Sequence, residues 1–275
     1  MAERTILITG ATDGLGRGLA ERLAPTGARL LLHGRDETKG ERLLDQLGSR
    51  ATGELKWCRA DLSSLDQVAA LADRVMEEER LEVLVNNAGL GTAEPGGGER
   101  LESEDGHELR FAVNYLAPFL LTRMLLPLLE RSAPSRIVNV ASAGQAPIDF
   151  EDVMLERSYS GVQAYCQSKL ALIMLTLDLA EELSGSGVTA NGLHPGTYMP
   201  TNMVKAAGVR PVTPLEDGMD ATLRLIDSSE LEGVSGRYFD GTEESAPHPQ
   251  AYDPEARRRL RELSQELTGV HAAPG

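Results

Sequence analysis

The chain has 275 residues, 41% of them hydrophobic, and a formal net charge of −15. That hydrophobic content is ample for a packed core, while the acidic balance excludes the electrostatic footprint of a nucleic-acid or anionic-membrane binder. The two cysteines, Cys58 and Cys166, stand far apart with no neighbouring histidines, which excludes a disulfide framework and a zinc site and fits a reducing compartment.

The opening "MAER" runs straight into "TILITG", an apolar patch too short for the core of a signal peptide. A soluble, cytoplasmic protein is the expectation. From there, short apolar strand runs alternate with longer helical patterns. "TILIT", "ARLLLH", "ELKWCRA", "LEVLVNN", "SRIVNVAS", "VTANGLH" and "GRYF" are interleaved with segments such as "DETKGERLLDQLG" and "SLDQVAALADRVMEEE". Strands alternating with helices predict an α/β fold, a doubly wound parallel sheet in one domain spanning 1–275. The strand runs are continuous rather than alternating, as strands buried on both faces should be.

After the first strand come Gly10, Gly14 and Gly16, opening a helix. A dinucleotide pyrophosphate needs this arrangement, because the backbone must approach the phosphates closely and a helix N-terminus supplies N–H groups. The spacing is G-x-x-x-G-x-G, and three glycines also occur in ordinary strand-to-helix turns. Where an NAD-binding protein would present an acid after its second strand, this chain has Gly34 and then Arg35. An arginine there can pair with a 2′-phosphate and favours NADP; the alternative is a solvated surface arginine.

Further along, "GLGTAEPGGGER" (89–100) reads as a surface loop, and "NYLAPFLLTRMLLPLLE" (114–130) as a helix apolar around most of its circumference. "SYSGVQAYCQSKLALIMLTLDLA" (158–180) shares that property, and both predict a helix-mediated homo-oligomer, a homodimer or homotetramer. The stretch also stacks Tyr165 and Lys169 on one helix face. A free phenol, with a pKa of about 10, is a poor base at neutral pH, and a lysine ammonium one turn away favours the phenolate. Taken alone, such a pair is more often a half-buried ring beside a lysine stem. Ser142, ending "RIVNVAS", supplies a hydroxyl to bind a substrate oxygen. Asn114 is costly in an apolar helix unless its amide finds partners.

Near the C-terminus, "TYMPTNMVKAAGVRPVTPLEDG" (197–218) has few charges and reads as a lid over a mostly apolar substrate. "FDGTEESAPHPQAYDP" (239–254) reads as an acidic surface loop and opens an appendage of about 240–275. In the terminal helix, Arg257, Arg258, Arg259 and Arg261 read as one face exposed to solvent.

These residues resemble the short-chain dehydrogenase/reductase family over nearly the whole chain. The marks are "TGATDGLG" (9–16), "DL" (Asp61, Leu62), "NNAG" (86–89), "VN" (Val113, Asn114), "NVAS" ending at Ser142, "YCQSK" (165–169) and "HPG" (194–196). "DGHELRFAVNYLAPFLLT", "IDFEDVMLERSYS" and "SGRYFDGTEES" are most similar to the retinol-dehydrogenase-like branch. The resemblance implies a Rossmann-type fold and hydride transfer between NADP(H), or less readily NAD(H), and a carbonyl or secondary alcohol. It implies catalytic roles for Asn114, Ser142, Tyr165 and Lys169: Tyr165 as acid/base, Lys169 lowering its pKa and reaching the nicotinamide ribose, Asn114 positioning a relay water. It further implies cofactor contacts from Gly10, Thr12, Asp13, Gly14, Leu15, Gly16, Arg35, Asp61, Leu62, Asn87, Ala88, Gly89, Tyr165, Lys169, Pro195, Gly196 and Thr197. Asp61 could equally be an N-cap. No metal, nucleic acid or membrane insertion is expected.

Two departures stand out. Residues 143–164 between Ser142 and Tyr165 form a longer stretch than is common in the family, and Thr201 lies one position beyond the usual P-G-x-x-x-T. A catalytically silent dinucleotide-binding regulator is the rival reading. A nucleotide-sugar dehydratase or epimerase would need a longer C-terminal domain than residues 197–275 provide.

Overall fold

A computed structural model describes residues 4–270 apart from Glu94 and Gly97. In chain order the first half comprises β1 (Thr5–Ile8), α1 (Gly14–Leu23), β2 (Arg29–Gly34), α2 (Glu37–Gly48), β3 (Leu55–Arg59), α3 (Leu65–Met76) and β4 (Val83–Asn86). Then come α4 (Leu109–Phe111), a π-helical turn (Ala112–Leu116) and α5 (Ala117–Arg131), which together make one long helix, followed by β5 (Ser135–Val140). The remainder is α6 (Gly161–Glu182), β6 (Val188–His194), α7 (Asn202–Ala206), α8 (Leu215–Asp227), β7 (Tyr238–Asp240), β8 (Glu243–Ser245) and α9 (Pro254–Thr268). The strands form one sheet in the order β3-β2-β1-β4-β5-β6-β7-β8, parallel through β7, with β8 antiparallel at the edge.

Continuous apolar strands bury both faces because successive side chains point to opposite sides. In β1, Ile6 and Ile8 join a core under α1, α2 and α8, while Leu7 joins the opposite core under α3, α5, α6 and α9. Leu30 and Leu32 against Leu31 repeat the division in β2. The strand order reverses between β1 and β4. Crevices for ligands open at such a switch point, beyond the carboxyl ends of the strands. The loops leaving β1 and β4 there are the glycine-rich turn and "NNAG".

The long helix Leu109–Arg131 is the one described helix apolar and long enough to cross a membrane, and 83% of its most apolar window lies buried inside the fold. Between it, α6 and the sheet runs a buried polar ladder. Asn86 donates to Thr122 Oγ1 (3.0 Å) and Asn139 Oδ1 (2.8 Å), and Asn139 donates to Thr176 Oγ1 (2.8 Å). Polar groups at this depth must pair, so the ladder fixes β4 and β5 against α5 and α6.

One expectation changes here, that of the solvated arginine face. Residues 167–179 of α6 are buried within a single chain, chiefly against β6 and the helix of Asn114, with α9 closing one further side. Tyr115 Oη meets Ser264 Oγ at 2.6 Å, and Arg257 and Arg261 reach Asp178 at 3.4 and 2.8 Å. The apolar circumference of α6 is thus buried within the one chain. The four arginines are not one solvated face. Arg257 also pairs with Glu181, Arg259 stacks 4.6 Å over the Phe150 ring, and only Arg258 stays among its own helix's carboxylates, Glu255 and Glu262. The predicted lid, 197–218, contains α7 and the start of α8. Residues 271–275 of the predicted appendage lie outside the described residues.

Candidate active site

The glycine-rich turn is built by backbone geometry that only glycine supports cheaply. Gly10 and Gly14 have φ of +67° and +50°, a region where a Cβ clashes. A Cβ on Gly16 would sit 2.2 Å from Gly10 O, so the glycine lets α1 close directly on the turn. Asp13, at the N-cap of α1, leaves the first turn's amides free of a side-chain cap, and its carboxylate instead accepts from Asn202 Nδ2 at 2.6 Å. The result is a cradle of uncapped N–H groups at a positive helix end, beside Thr12, Leu15 and Gly16, which fits a pyrophosphate.

Buried side chains brace this turn. Asn87 Nδ2 donates to Thr9 O at 2.7 Å, and Asn87 N and Ala88 N donate to Thr9 Oγ1 at 2.9 and 3.0 Å. His33 accepts from Gly10 N at Nδ1 (3.3 Å) and therefore donates from Nε2 to Ala60 O (3.1 Å). Burial lowers His33 from 6.5 to about 4, which keeps it in that neutral tautomer.

At the adenosine end, Arg35 follows β2 and Arg59 closes β3. Arg59 Nε donates to Arg35 O at 3.3 Å, and both guanidinium groups are largely exposed. Asp61 accepts from Ser63 N and Oγ at 2.9 and 2.8 Å and lies 3.9 Å from Arg35 Nη1, while Leu62 is buried beneath it. Asp61 thus shapes a turn ahead of α3, whose N-cap is Ser64. Trp57 lies where a Cβ on Gly34 or Gly40 would come within 2.6 or 2.2 Å of its ring, so both glycines make room for it.

The other end of the crevice gathers the predicted chemistry. Ser142 lies just beyond β5, and its Oγ accepts from Gly144 N at 3.0 Å. Ser142 lowers the pKa of the neighbouring Tyr165 phenol, but the larger effect is burial, which raises it. Lys169 Nζ lies 5.9 Å from the Tyr165 ring centroid and donates to Val140 O at 2.9 Å; burial pushes it down to about 8. Desolvation is thus the dominant influence on the Tyr165 phenol, with Ser142 opposing it. A Cβ on Gly89 would stand 3.3 Å from Lys169 Nζ, so the "NNAG" backbone passes directly over the lysine.

Asn114 sits in the π-helical turn, a feature the apolar periodicity did not reveal. Its Oδ1 accepts from Leu90 N (2.7 Å), and its Nδ2 donates to Leu90 O (3.1 Å) and Ser168 Oγ (3.0 Å). That leaves one lone pair on Oδ1 for the water expected there. After β6, Pro195, Gly196 and Thr197 turn into 197–218, with Thr197 Oγ1 3.1 Å from His194 Nε2. Thr201 caps α7 by accepting from Val204 N, and a Cβ on Gly14 would lie 2.9 Å from its methyl group.

A buried cluster that sequence reasoning missed joins these parts. Arg110, fully buried, donates to Gly91 O (2.7 Å), Thr92 O (3.2 Å), Pro95 O (3.1 Å) and Tyr159 Oη (2.6 Å). Tyr159 donates to Glu108 Oε1 (3.0 Å), and Glu108 Oε2 accepts from Phe111 N (2.7 Å). The cluster ties the loop after "NNAG" to the helix of Asn114 and to the residue preceding the α6 cap. A charged pair opening an otherwise apolar run, "ELRFAVNY", was the signal available. Among the described residues no cluster suited to a metal ion occurs.

Comparison with known proteins matches this arrangement. Residues 4–210 fit the family model for short chain dehydrogenase. The chain is 39% identical over 295 residues to retinol dehydrogenase 13 of Mus musculus, covering 99% of this chain and 86% of the relative. It is likewise 39% identical over 301 residues to retinol dehydrogenase 14 of Homo sapiens, covering 98% and 88%. A solved structure of an uncharacterized protein from Mycobacterium paratuberculosis superposes with a TM-score of 0.81 at 30% identity, covering 99% and 96%. The Pseudomonas aeruginosa RhlG/NADP active-site complex gives 0.71 at 28%, covering 87% and 95%.

Proposed function

The chain belongs to the short-chain dehydrogenase/reductase family and is an NAD(P)-dependent oxidoreductase, and from that premise we propose that it moves a hydride between NADP(H) and a carbonyl or alcohol of a mostly apolar small molecule. The observation that carries this reading is the convergence, at the carboxyl ends of β4 and β5, of the Tyr165 phenol beside Ser142, a buried Lys169 and the glycine-rich cradle.

The cradle of Gly10, Thr12, Asp13, Gly14, Leu15 and Gly16 would hold the pyrophosphate, with Asp61 and Leu62 toward the adenine and Asn87, Ala88, Gly89, Pro195, Gly196 and Thr197 toward the nicotinamide. When bound, the cofactor supplies or accepts the hydride. For the 2′-phosphate, Arg35 and Arg59 form a paired cationic end to β2 and β3, which supports NADP. The NADP complex of the Pseudomonas aeruginosa relative is consistent with that preference.

Tyr165 gives its proton to the carbonyl oxygen in reduction and takes it back in oxidation. Gly144 N donates to Ser142 Oγ and so fixes the hydroxyl where its proton can turn toward a substrate oxygen as negative charge develops there. Lys169, at about 8, carries its charge through neutral pH and stabilises the phenolate; above that range it loses the proton and the support. The relatives' names, retinol dehydrogenases, support an apolar alcohol or aldehyde, as do exposed Tyr198, Met203 and Val212 on the proposed lid. Two free cysteines and the interior position of Leu109–Arg131 support a cytoplasmic protein that does not insert into membranes.

The test is Tyr165→Phe, which removes the transferable proton and keeps the ring. Turnover should fall by about 10²–10⁴-fold while NADPH affinity holds; full turnover on a substrate the unaltered enzyme accepts would remove Tyr165 from the chemistry.

A further inference from the structure

The stretch that follows Ser142, from Gly144 to Asp149, has no regular secondary structure, yet it forms the wall beside the reacting groups. A Cβ on Gly144 would lie 3.4 Å from Ser142 Oγ, 3.4 Å from Cys166 Sγ and 3.7 Å from the Tyr165 ring. An irregular backbone in a half-buried position must find its hydrogen bonds outside any ladder. On one side α6 supplies them: Ala146 N donates to Cys166 O at 3.3 Å and Asp149 N to Gln167 Oε1 at 3.2 Å.

On the other side the partners come from the far end of the sequence. Gln250 reads both polar groups of the buried Ile148, accepting from its N–H at 2.6 Å and donating to its carbonyl at 3.2 Å. One side-chain amide thus replaces a neighbouring strand. Gln145 accepts from His248 N at 2.7 Å and donates to Ser142 O at 3.0 Å, where Tyr238 Oη donates as well at 2.9 Å. Beyond them, Arg259 of α9 stacks over Phe150 and reaches Glu151 at 3.3 Å. The backbone of the serine and the wall beside it are therefore held by residues 238–259.

We propose that Gln250 and Gln145 are positioning residues that set substrate specificity: the clasp fixes the distance between the Gly144–Ile148 wall and the Tyr165–Ser142 pair, and so the size of carbonyl compound admitted. This rests on the oxidoreductase reading above. Both side chains are spent on backbone groups of the wall and its neighbours. Both act through the wall. Loosening the clasp should widen the site for a broad, flat substrate and leave proton transfer to a small one unchanged.

The test uses the full-length enzyme and Gln250→Ala, Gln250→Glu and Gln145→Leu. Hydrogen–deuterium exchange, which needs no turnover, should show the Ile148 amide at least tenfold less protected in Gln250→Ala. In Gln250→Glu, which keeps the acceptor, protection should be largely retained. With NADPH, the ratio of kcat/KM for 9,10-phenanthrenequinone to that for hexanal should shift about fivefold in Gln250→Ala and in Gln145→Leu. The shift should lie in KM, with kcat for hexanal within twofold and partial return in Gln250→Glu. Unchanged exchange at Ile148, or both substrates losing kcat equally in step with Tm, overturns the proposal. Should Gln250→Ala not fold, the same readings on Gln145→Leu and Gln250→Glu decide it. If exchange responds as expected while the unaltered enzyme binds NADPH but reduces neither compound, the clasp stands and it is the oxidoreductase reading that fails.

Discussion

The two ends of the crevice are built on different principles. At the cofactor end, β1, the glycine turn and α1 follow one another in the chain, and each glycine answers a local demand: a positive φ at Gly10 and Gly14, a close approach at Gly16. At the substrate end, the wall after Ser142 takes part of its hydrogen bonds from residues about a hundred positions away, and Arg110 holds one loop by three of its carbonyls. Local backbone physics leaves a readable motif. Long-range satisfaction of an irregular backbone leaves isolated polar residues whose purpose appears only when the partners meet.

The contrast is broken most severely at Arg110. Arg110→Met strips hydrogen bonds from Gly91, Thr92 and Pro95 and leaves the buried Glu108 without its charge partner. A loss of about 3–5 kcal/mol is expected in urea unfolding, against about 1 kcal/mol for Tyr159→Phe. Equal, small effects would mean that the substrate end does not depend on this cluster.

Next in size is an acid effect at the cofactor end. The folded pKa of His33, about 4, lies below its ordinary 6.5, so the unfolded chain binds the proton more readily between those values. Its contribution is present above pH 6.5 and is lost as pH falls through about 4, on the order of 3 kcal/mol in full. Protonation also takes the acceptor from Gly10 N. Stability and NADPH affinity should therefore decline together on acidification, and His33→Gln should flatten the decline, as read by unfolding and by fluorescence titration.

The smallest effect, and the finest probe of the cofactor end, is at Arg35. Arg35→Ala should weaken NADPH binding by about 1.5–3 kcal/mol, the range for a hydrogen bond to a charged group, and leave NADH binding nearly unchanged. Adding Arg59→Ala should deepen the loss for NADPH alone. Equal losses for both cofactors would remove the 2′-phosphate from the assignment.

Much of this was legible in advance, for identifiable reasons. The alternation of apolar strands and amphipathic helices predicted the doubly wound sheet, and Ile6, Leu7 and Ile8 divide between its two cores as such strands must. Tyr165 and Lys169 fall on one helix face because 3.6 residues complete a turn. The apolar run of α6 was equally visible but ambiguous. Apolar residues all round a helix require burial, and they do not say by what; here β6, the helix of Asn114 and, with its arginine pairs to Asp178, α9 supply it within the chain. The short β8 edge strand, the π-helical turn at Asn114 and the Arg110 cluster carry no periodic signal.

By itself, then, the sequence determined the order of the elements, the glycine cradle and the order in which Asn114, Ser142, Tyr165 and Lys169 are delivered. These depend on near neighbours in the chain: φ limits, helical spacing and strand burial. Only the tertiary structure decided that α9 packs on α6, that Gln250 completes the backbone of Ile148, and that Lys169 donates one of its protons to Val140 O. Those pairings follow from the need to satisfy every buried polar group at once, a condition on the whole fold that no local stretch contains.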